Sequence, residues 1–304
     1  MQLHLVPHVT ALKKHNDGSI DATDIQKIEK YYGLAVPAIL GEAYATLRDS
    51  ALTHRERLAA TFMGASTGLF DDFYDKKLLP DTYIKDLYTK PYQYRGENDN
   101  ERLFNLCVIT ALDHAENKDM VMENAGRVHA AQMASRLQHD KGLSDEVIQQ
   151  ITFDKGGYSV VFYMSVFQQH MPRADVKLFY NAGALLQLEN DIFDVYKDSV
   201  AGVETLVTRA THIKPLVALY NTHWEKVKSL VWASGYSKEA KSAFLKIMAA
   251  IVSRGFVCLN MLEKREKENK GIFDPVVFSR KQLICDMEKP INLLRTMHYY
   301  AKLL

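Results

Sequence analysis

The chain has 304 residues, a formal net charge of +1, 47% hydrophobic residues and 25% charged ones, the balance of a globular protein with a sizeable core. A near-neutral total without blocks of like charge excludes a nucleic-acid or anionic-membrane partner recruited by bulk electrostatics. Three cysteines, Cys107, Cys258 and Cys285, are odd in number, widely spaced and set among apolar residues, which excludes a zinc ribbon or a disulfide framework and predicts reduced core thiols.

The opening MQLHLVPHVT lacks the basic start and apolar run of a signal peptide. Gly and Pro are sparse, at 15 and 8. Between them apolar residues recur at steps of three and four, first clearly in HRERLAATFMGASTGLFDDFYDKK (54–77) and last in AKSAFLKIMAAIVSRGFVCLNMLEKREKE (240–268), which predicts amphipathic helices. Breakers fall near LLPDTY (78–83), TKPYQYRGENDN (89–100), HDKGLSD (139–145), DKGG (154–157), HMPRAD (170–175), DSVAGVET (198–205), ATHIKP (210–215), ASGYSKE (233–239) and ENKGIFDP (268–275). They divide the chain into about ten helices of ordinary length. No strand alternation, hairpin signal, repeat or biased linker stands out, so the expected fold is an all-α single domain over 1–304. The greasiest windows, YSVVFYMSVF and LKIMAAIVSRGFVCLNML, are too short or interrupted by Arg254, so no bilayer-spanning segment is expected, and a cytoplasmic protein is.

Two acidic motifs carry the chemistry. In FDDFYDKK, Asp71 and Asp75 stand four apart on one helix face, with Asp72 beside them. In LLQLENDIFDVYKD (185–198), Asn190, Asp194 and Asp198 form an i, i+4, i+8 row with Asp191 adjacent and Lys197 before the last acid. Like charges at this spacing weaken a helix, and a cation between them removes the penalty. Hard oxygen donors without nearby His or Cys favour Mg²⁺, which keeps waters and takes further ligands from substrate phosphates. Apolar stretches with small residues, TFMGASTGLF and LFYNAGALLQLE, precede the two motifs, which suits a hydrocarbon chain ending in a diphosphate. The plainer alternative is a solvated acidic face. Against it, Phe70, Phe73, Ile192, Phe193 and Val195 set the acids inside apolar sequence, where buried charge must be paired.

With these motifs the chain resembles the trans-isoprenoid synthase superfamily, an all-α bundle around a central cavity shared by class I terpene cyclases, prenyl diphosphate synthases and squalene and phytoene synthases. DDFYD resembles that superfamily's DDxxD motif. NDIFDVYKD is similar to the cyclase motif NDxx(S/T)xxxE, with Asp in place of Ser or Thr at 194 and of Glu at 198. QLENDIFDVYKD is also similar to the phytoene and squalene synthase pattern QLxNxxRDVxxD, with Phe193 where that branch carries Arg. ITFDKGGYSVVFY resembles the Lys-Thr-Gly segment of prenyl synthases and the helix break of cyclases. There Lys155 is expected to contact diphosphate, and Gly156 and Gly157 to interrupt a helix facing the cavity; a solvated lysine at a turn is the plainer alternative. LRTMHYY places Arg295 and Tyr299 four apart, similar to residues that many cyclases bring over the diphosphate. The Arg-Arg-Gly of chain-elongating synthases is missing after Asp75, where KKLLPD follows, so the resemblance points to a cyclase near the squalene-like and bacterial large-terpene branch.

The resemblance implies three Mg²⁺ ions, held by Asp71, Asp72 and Asp75 and by Asn190, Asp191, Asp194 and Asp198, that clamp the diphosphate of a prenyl substrate. Lys155, Lys197, Arg295 and Tyr299 share its charge. Phe70, Phe73, Gly156, Gly157, Tyr158, Phe162, Phe179, Gln187 and Phe193 are the candidates for the apolar pocket, whose aromatic faces stabilise an allylic carbocation. A homodimer is left open. A prenyl-condensing synthase with a second substrate pocket and a non-catalytic helical protein holding Ca²⁺ or a partner are the competing classes.

Overall fold

The computed structural model describes residues 4–75, 79–167 and 170–304. Among these residues every regular element is a helix, in line with the all-α expectation. The chain divides into two compact units, Met1–His129 with Val161–Pro172, and Ala130–Val160 with Arg173–Leu304.

In the first unit, α1 (Val6–Lys14) carries Pro7 in its first turn, where the ring fixes a helical φ and no N–H is needed. α2 (Ala22–Gln26) starts from a capping box in which the Asp21 carboxylate accepts from Thr23 and Asp24 N–H and the Asp24 carboxylate accepts from Asp21 N–H. Two wider π-helical turns follow, Lys27–Tyr32 and Val36–Gly41, around α3 (Gly33–Ala35) and before α4 (Glu42–Leu47). They press on α5 (His54–Asp75) at its smallest residues: a Cβ on Gly64 would stand 2.3 Å from the Tyr32 carbonyl oxygen, and one on Gly68 3.1 Å from the Lys27 side chain. The small residues before the first acidic motif thus serve a close helix approach. α6 (Asp81–Thr89) and α7 (Asp99–His114, capped by Asn98) complete the packing. Phe70, Phe73, Tyr74, Tyr88 and Phe104 form its aromatic core, with ring centroids 5.1 to 6.2 Å apart. α8 (Lys118–Ser135) and α9 (Asp145–Ser165) each begin in one unit's residues and end in the other's.

In the second unit, α10 (Arg173–Phe193) and α11 (Val195–Ala201) run nearly end to end; α12 (Lys214–Ala233) and α13 (Lys238–Glu268) pack on α10, and α14 (Arg280–Leu283) and α15 (Pro290–Leu303) on α13. Trp224, Tyr220, Leu185, Leu188, Val252 and Leu259 are wholly buried between them. α13 is long and apolar enough, by length and composition, to cross a membrane, a longer run than the sequence reading allowed when it stopped at Arg254; 61% of that window is buried inside the structure. α13 runs through Arg254 without a break, and the guanidinium pairs with Glu189 of α10. All three cysteines are free and buried. Interaction between the Cys258 and Cys285 thiols raises the pKa of Cys258 and lowers that of Cys285.

His223 on α12 lies against the Phe153 ring at 4.3 Å, and burial pushes its pKa down to about 4. The unfolded chain therefore binds the extra proton first, so stability falls as pH drops through the interval from about 6.5 to about 4. His223→Leu should remove about 2 kcal/mol of that acid-side loss. Urea midpoints of both proteins at neutral pH and near pH 4.5 test this, since the carboxylates cancel in the difference; parallel pH dependences would refute it.

Candidate active site

The second acidic motif straddles a kink. α10 ends at Phe193, Asp194 takes φ −88° and ψ 6°, and α11 resumes at Val195. The main chain stays in step across it: Asp194 N–H donates to the Asn190 carbonyl at 2.8 Å and Asp198 N–H to the Asp194 carbonyl at 2.9 Å. Asn190, Asp194 and Asp198 therefore form one line, Asn190 exposed and the two acids half-buried. Lys197 is exposed and its ammonium lies 3.4 Å from Asp194 Oδ2. Burial, then the charges of Asp191 and Asp194, push Asp198 up to about 7, against the pull of Lys197 and Lys155.

Asp191 turns the other way. It is buried, Thr152 Oγ1 donates to its Oδ2 and Gln187 Nε2 to its Oδ1, both at 2.9 Å, and desolvation still lifts it to about 6. Gln187, expected in the substrate pocket, thus holds a carboxyl of the next helical turn. Lys155 sits half-buried on α9, and its charge favours the ionised forms of both Asp191 and Asp198. The charge of Lys155 thus acts on the acidic line from α9. The expected helix break at Gly156 and Gly157 is corrected: α9 runs unbroken from Asp145 to Ser165. These glycines instead permit contact, since a Cβ on Gly156 would stand 2.2 Å from the Gly183 carbonyl oxygen and one on Gly157 2.5 Å from the Tyr180 ring. A glycine costs a helix only about 1 kcal/mol relative to Ala, which close packing offsets.

One cluster behind the line escapes sequence reasoning. Glu189 is buried and pushed up to about 7 by desolvation; Arg254 Nη2 lies 3.3 Å from its Oε1, and the Tyr220 hydroxyl lies 3.3 Å from its Oε2 and 3.1 Å from the Val252 carbonyl. Gly255 makes room for that hydroxyl, which a Cβ would meet at 2.3 Å. The same arginine caps the Phe193 ring at 5.5 Å. Cys258 Sγ lies 3.5 Å from the Ile192 carbonyl. The residues beside Asn190 and Asp194 are thereby anchored to α12 and α13. A Glu and an Arg each embedded in an apolar run is the one sequence sign of such a pair.

In the first unit, Asp71 is half-buried near the end of α5, and its charge acts on the Tyr163 hydroxyl. Asp72 is buried and paired with Lys27 at 2.9 Å, so its expected role as a metal ligand competes with an ion pair in place. Asp75 ends α5, and its side chain lies outside the described residues. Phe73 is fully buried against Phe104, Phe70 is half-buried, and Phe162 lies beside Tyr163 at 5.7 Å.

Elsewhere in the second unit, Phe179 is core, Tyr158 is half-buried with its ring edge-on to Tyr180 at 5.2 Å, and Phe193 is half-buried under Arg254. Arg295 donates to Asn292 Oδ1 at 3.3 Å, and Tyr299 stacks on Phe256 at 5.6 Å.

The donors of the α10–α11 line fit Mg²⁺ by chemistry: they are all oxygens, and a cation beside Asp198 would offset the burial and the neighbouring charges of Asp191 and Asp194 that raise it to about 7. Among the described residues no three His, Cys, Asp or Glu side chains close on one point.

No family model and no curated protein matches the chain. Its structure is similar to the crystal structure of a dehydrosqualene synthase in complex with ligand, with a TM-score of 0.50 and 13% identity over 92% of this chain and 97% of that one. The chain has the isoprenoid synthase fold. In this isoprenoid synthase fold the acidic line occupies the end of α10 and the start of α11, with Lys155 on the neighbouring α9.

Proposed function

We propose that the chain is a Mg²⁺-dependent class I terpene cyclase that ionises a linear prenyl diphosphate, farnesyl, geranylgeranyl or longer, and cyclises the allylic cation with release of diphosphate. The observation that carries this reading is the Asn190–Asp194–Asp198 line, held in step by main-chain bonds with Lys155 beside it, in a chain of this fold. Bound Mg²⁺ supplies Lewis-acid stabilisation of the leaving diphosphate. Asn190, Asp194 and Asp198 would hold it from the second motif, and Asp71 and Asp75 are the further ligands that the resemblance implies. Lys155 and Lys197 set positive charge where the departing oxygens gain negative charge. The half-buried rings of Tyr158 and Phe193 offer faces to a carbocation, each at about 0.5–2 kcal/mol. The released diphosphate takes the closing proton. The likeness to a dehydrosqualene synthase favours a second reading, a synthase that joins prenyl units.

The test is incubation of the purified protein with Mg²⁺ and, separately, geranyl, farnesyl, geranylgeranyl and longer diphosphates, following diphosphate release and extracting products for mass spectrometry. A cyclic product that vanishes with EDTA supports the cyclase. A product of doubled chain length, or turnover only when isopentenyl diphosphate is added, replaces it with the condensing reading. Intact substrates in every tube refute both.

A further inference from the structure

α15 is inverted relative to an ordinary surface helix. Its inward side is polar and aromatic and is fixed by specific bonds: Asn292 is buried with its Nδ2 donating to the Asp286 carbonyl at 2.8 Å, Arg295 and Thr296 bond to Asn292, and Tyr299 stacks on Phe256. Its outward side is apolar. Leu293, Leu294, Met297, Ala301 and Leu304 are exposed, Leu294 at 62% and Met297 at 66%, and at 100° per residue they share a sector of about 100°. Ile291, His298 and Lys302 follow beyond one margin of that sector, and Tyr300 lies on the other. Pro290–Leu303 holds no Asp or Glu.

We propose that α15 docks this protein on an anionic lipid bilayer surface, lying in the interface with Leu293, Leu294 and Met297 turned into the acyl boundary and Lys289 and Lys302 among the headgroups. An interfacial helix has this anatomy, an apolar face with a basic flank that reaches back to phosphate. The near-neutral total charge of the chain gives no bulk attraction, but the segment 279–304 carries Arg280, Lys281, Lys289, Arg295 and Lys302 against Asp286 and Glu288, so attraction is local to this helix. A second copy of the chain fits less well. One helix face about 21 Å long and about 10 Å wide falls far short of the about 800 Å² per partner of a stable interface. A two-fold pairing of α15 with itself would also set two basic margins side by side.

Flotation of the full chain with phosphatidylcholine vesicles, with and without phosphatidylglycerol, tests the proposal against the exposed double variant Leu294→Ser, Met297→Ser. The wild type is expected to float with the phosphatidylglycerol vesicles and much less with pure phosphatidylcholine, and added salt should weaken it. The double variant should partition at least about tenfold more weakly while keeping its circular dichroism and melting temperature. Failure of the wild type to bind either vesicle, equal binding to both, or undiminished binding of the variant overturns the proposal. Light scattering without lipid supplies the remaining outcome: a dimer that the double variant dissolves assigns α15 to a second copy instead.

Discussion

Asp194→Asn is expected to lower diphosphate release from a prenyl diphosphate by about 10²–10³-fold, the usual cost of losing one group that stabilises developing charge. The fold should survive it. The Asp194 side chain caps no helix, it pairs with the exposed Lys197 at 3.4 Å, and the main-chain bonds on either side need no carboxylate. Asp191→Asn is the informative contrast. Its carboxyl is buried between Thr152 and Gln187, so replacement should cost stability, by about 1–3 kcal/mol for a disturbed buried polar group, and turnover far less than Asp194→Asn does. Turnover measured at saturating Mg²⁺ beside urea midpoints separates the two. Wild-type turnover in Asp194→Asn would remove the second motif from the mechanism.

Gly156→Ala should destabilise the protein by about 3 kcal/mol, the upper range for forcing an extra methyl into a filled interior. The new Cβ would stand 2.2 Å from the Gly183 carbonyl oxygen and 2.4 Å from Gln187 Cβ, and the first of these is backbone that cannot rotate away. The sign is diagnostic. At a helix position with free space the same change stabilises by up to about 1 kcal/mol, as Gly126→Ala on α8 should, since its Cβ would meet only the Tyr88 hydroxyl at 4.0 Å. Urea unfolding of both variants gives the comparison, and a stabilised Gly156→Ala would show that α9 and α10 do not cross there. Because Gln187 holds Asp191, the same variant should also disturb the carboxyl next to the acidic line.

The helical class and the shared helix face of Asn190, Asp194 and Asp198 are legible from spacing alone, because residues four apart stack on one side of a helix. The kink at Asp194 is not, since nothing local distinguishes a residue with ψ near 0° from its helical neighbours. Gly156 and Gly157 show the limit of breaker rules: a glycine inside a helical pattern signals either an end or a crossing, and only the residues of another helix, here Gly183 and Tyr180, decide which. Asp72 is hidden for a similar reason. Its partner Lys27 lies 45 residues away on a π-helical turn, a winding that apolar periodicity does not announce. The Glu189, Tyr220 and Arg254 cluster spans three helices, and each member alone looks like an ordinary residue of an amphipathic face.

The interval between Asn190, Asp194 and Asp198 is set by two main-chain bonds of 2.8 and 2.9 Å, and peptide geometry is the same for every sequence. Leu185, Leu188 and Ile192, which fill the core side of α10, can therefore drift among apolar residues of similar volume without moving the ligand positions. Site and core are free to diverge separately. A fold shared at 13% identity is what such independence allows, and distant relatives of this chain are better sought by an interval of four between oxygen donors than by the residues around them.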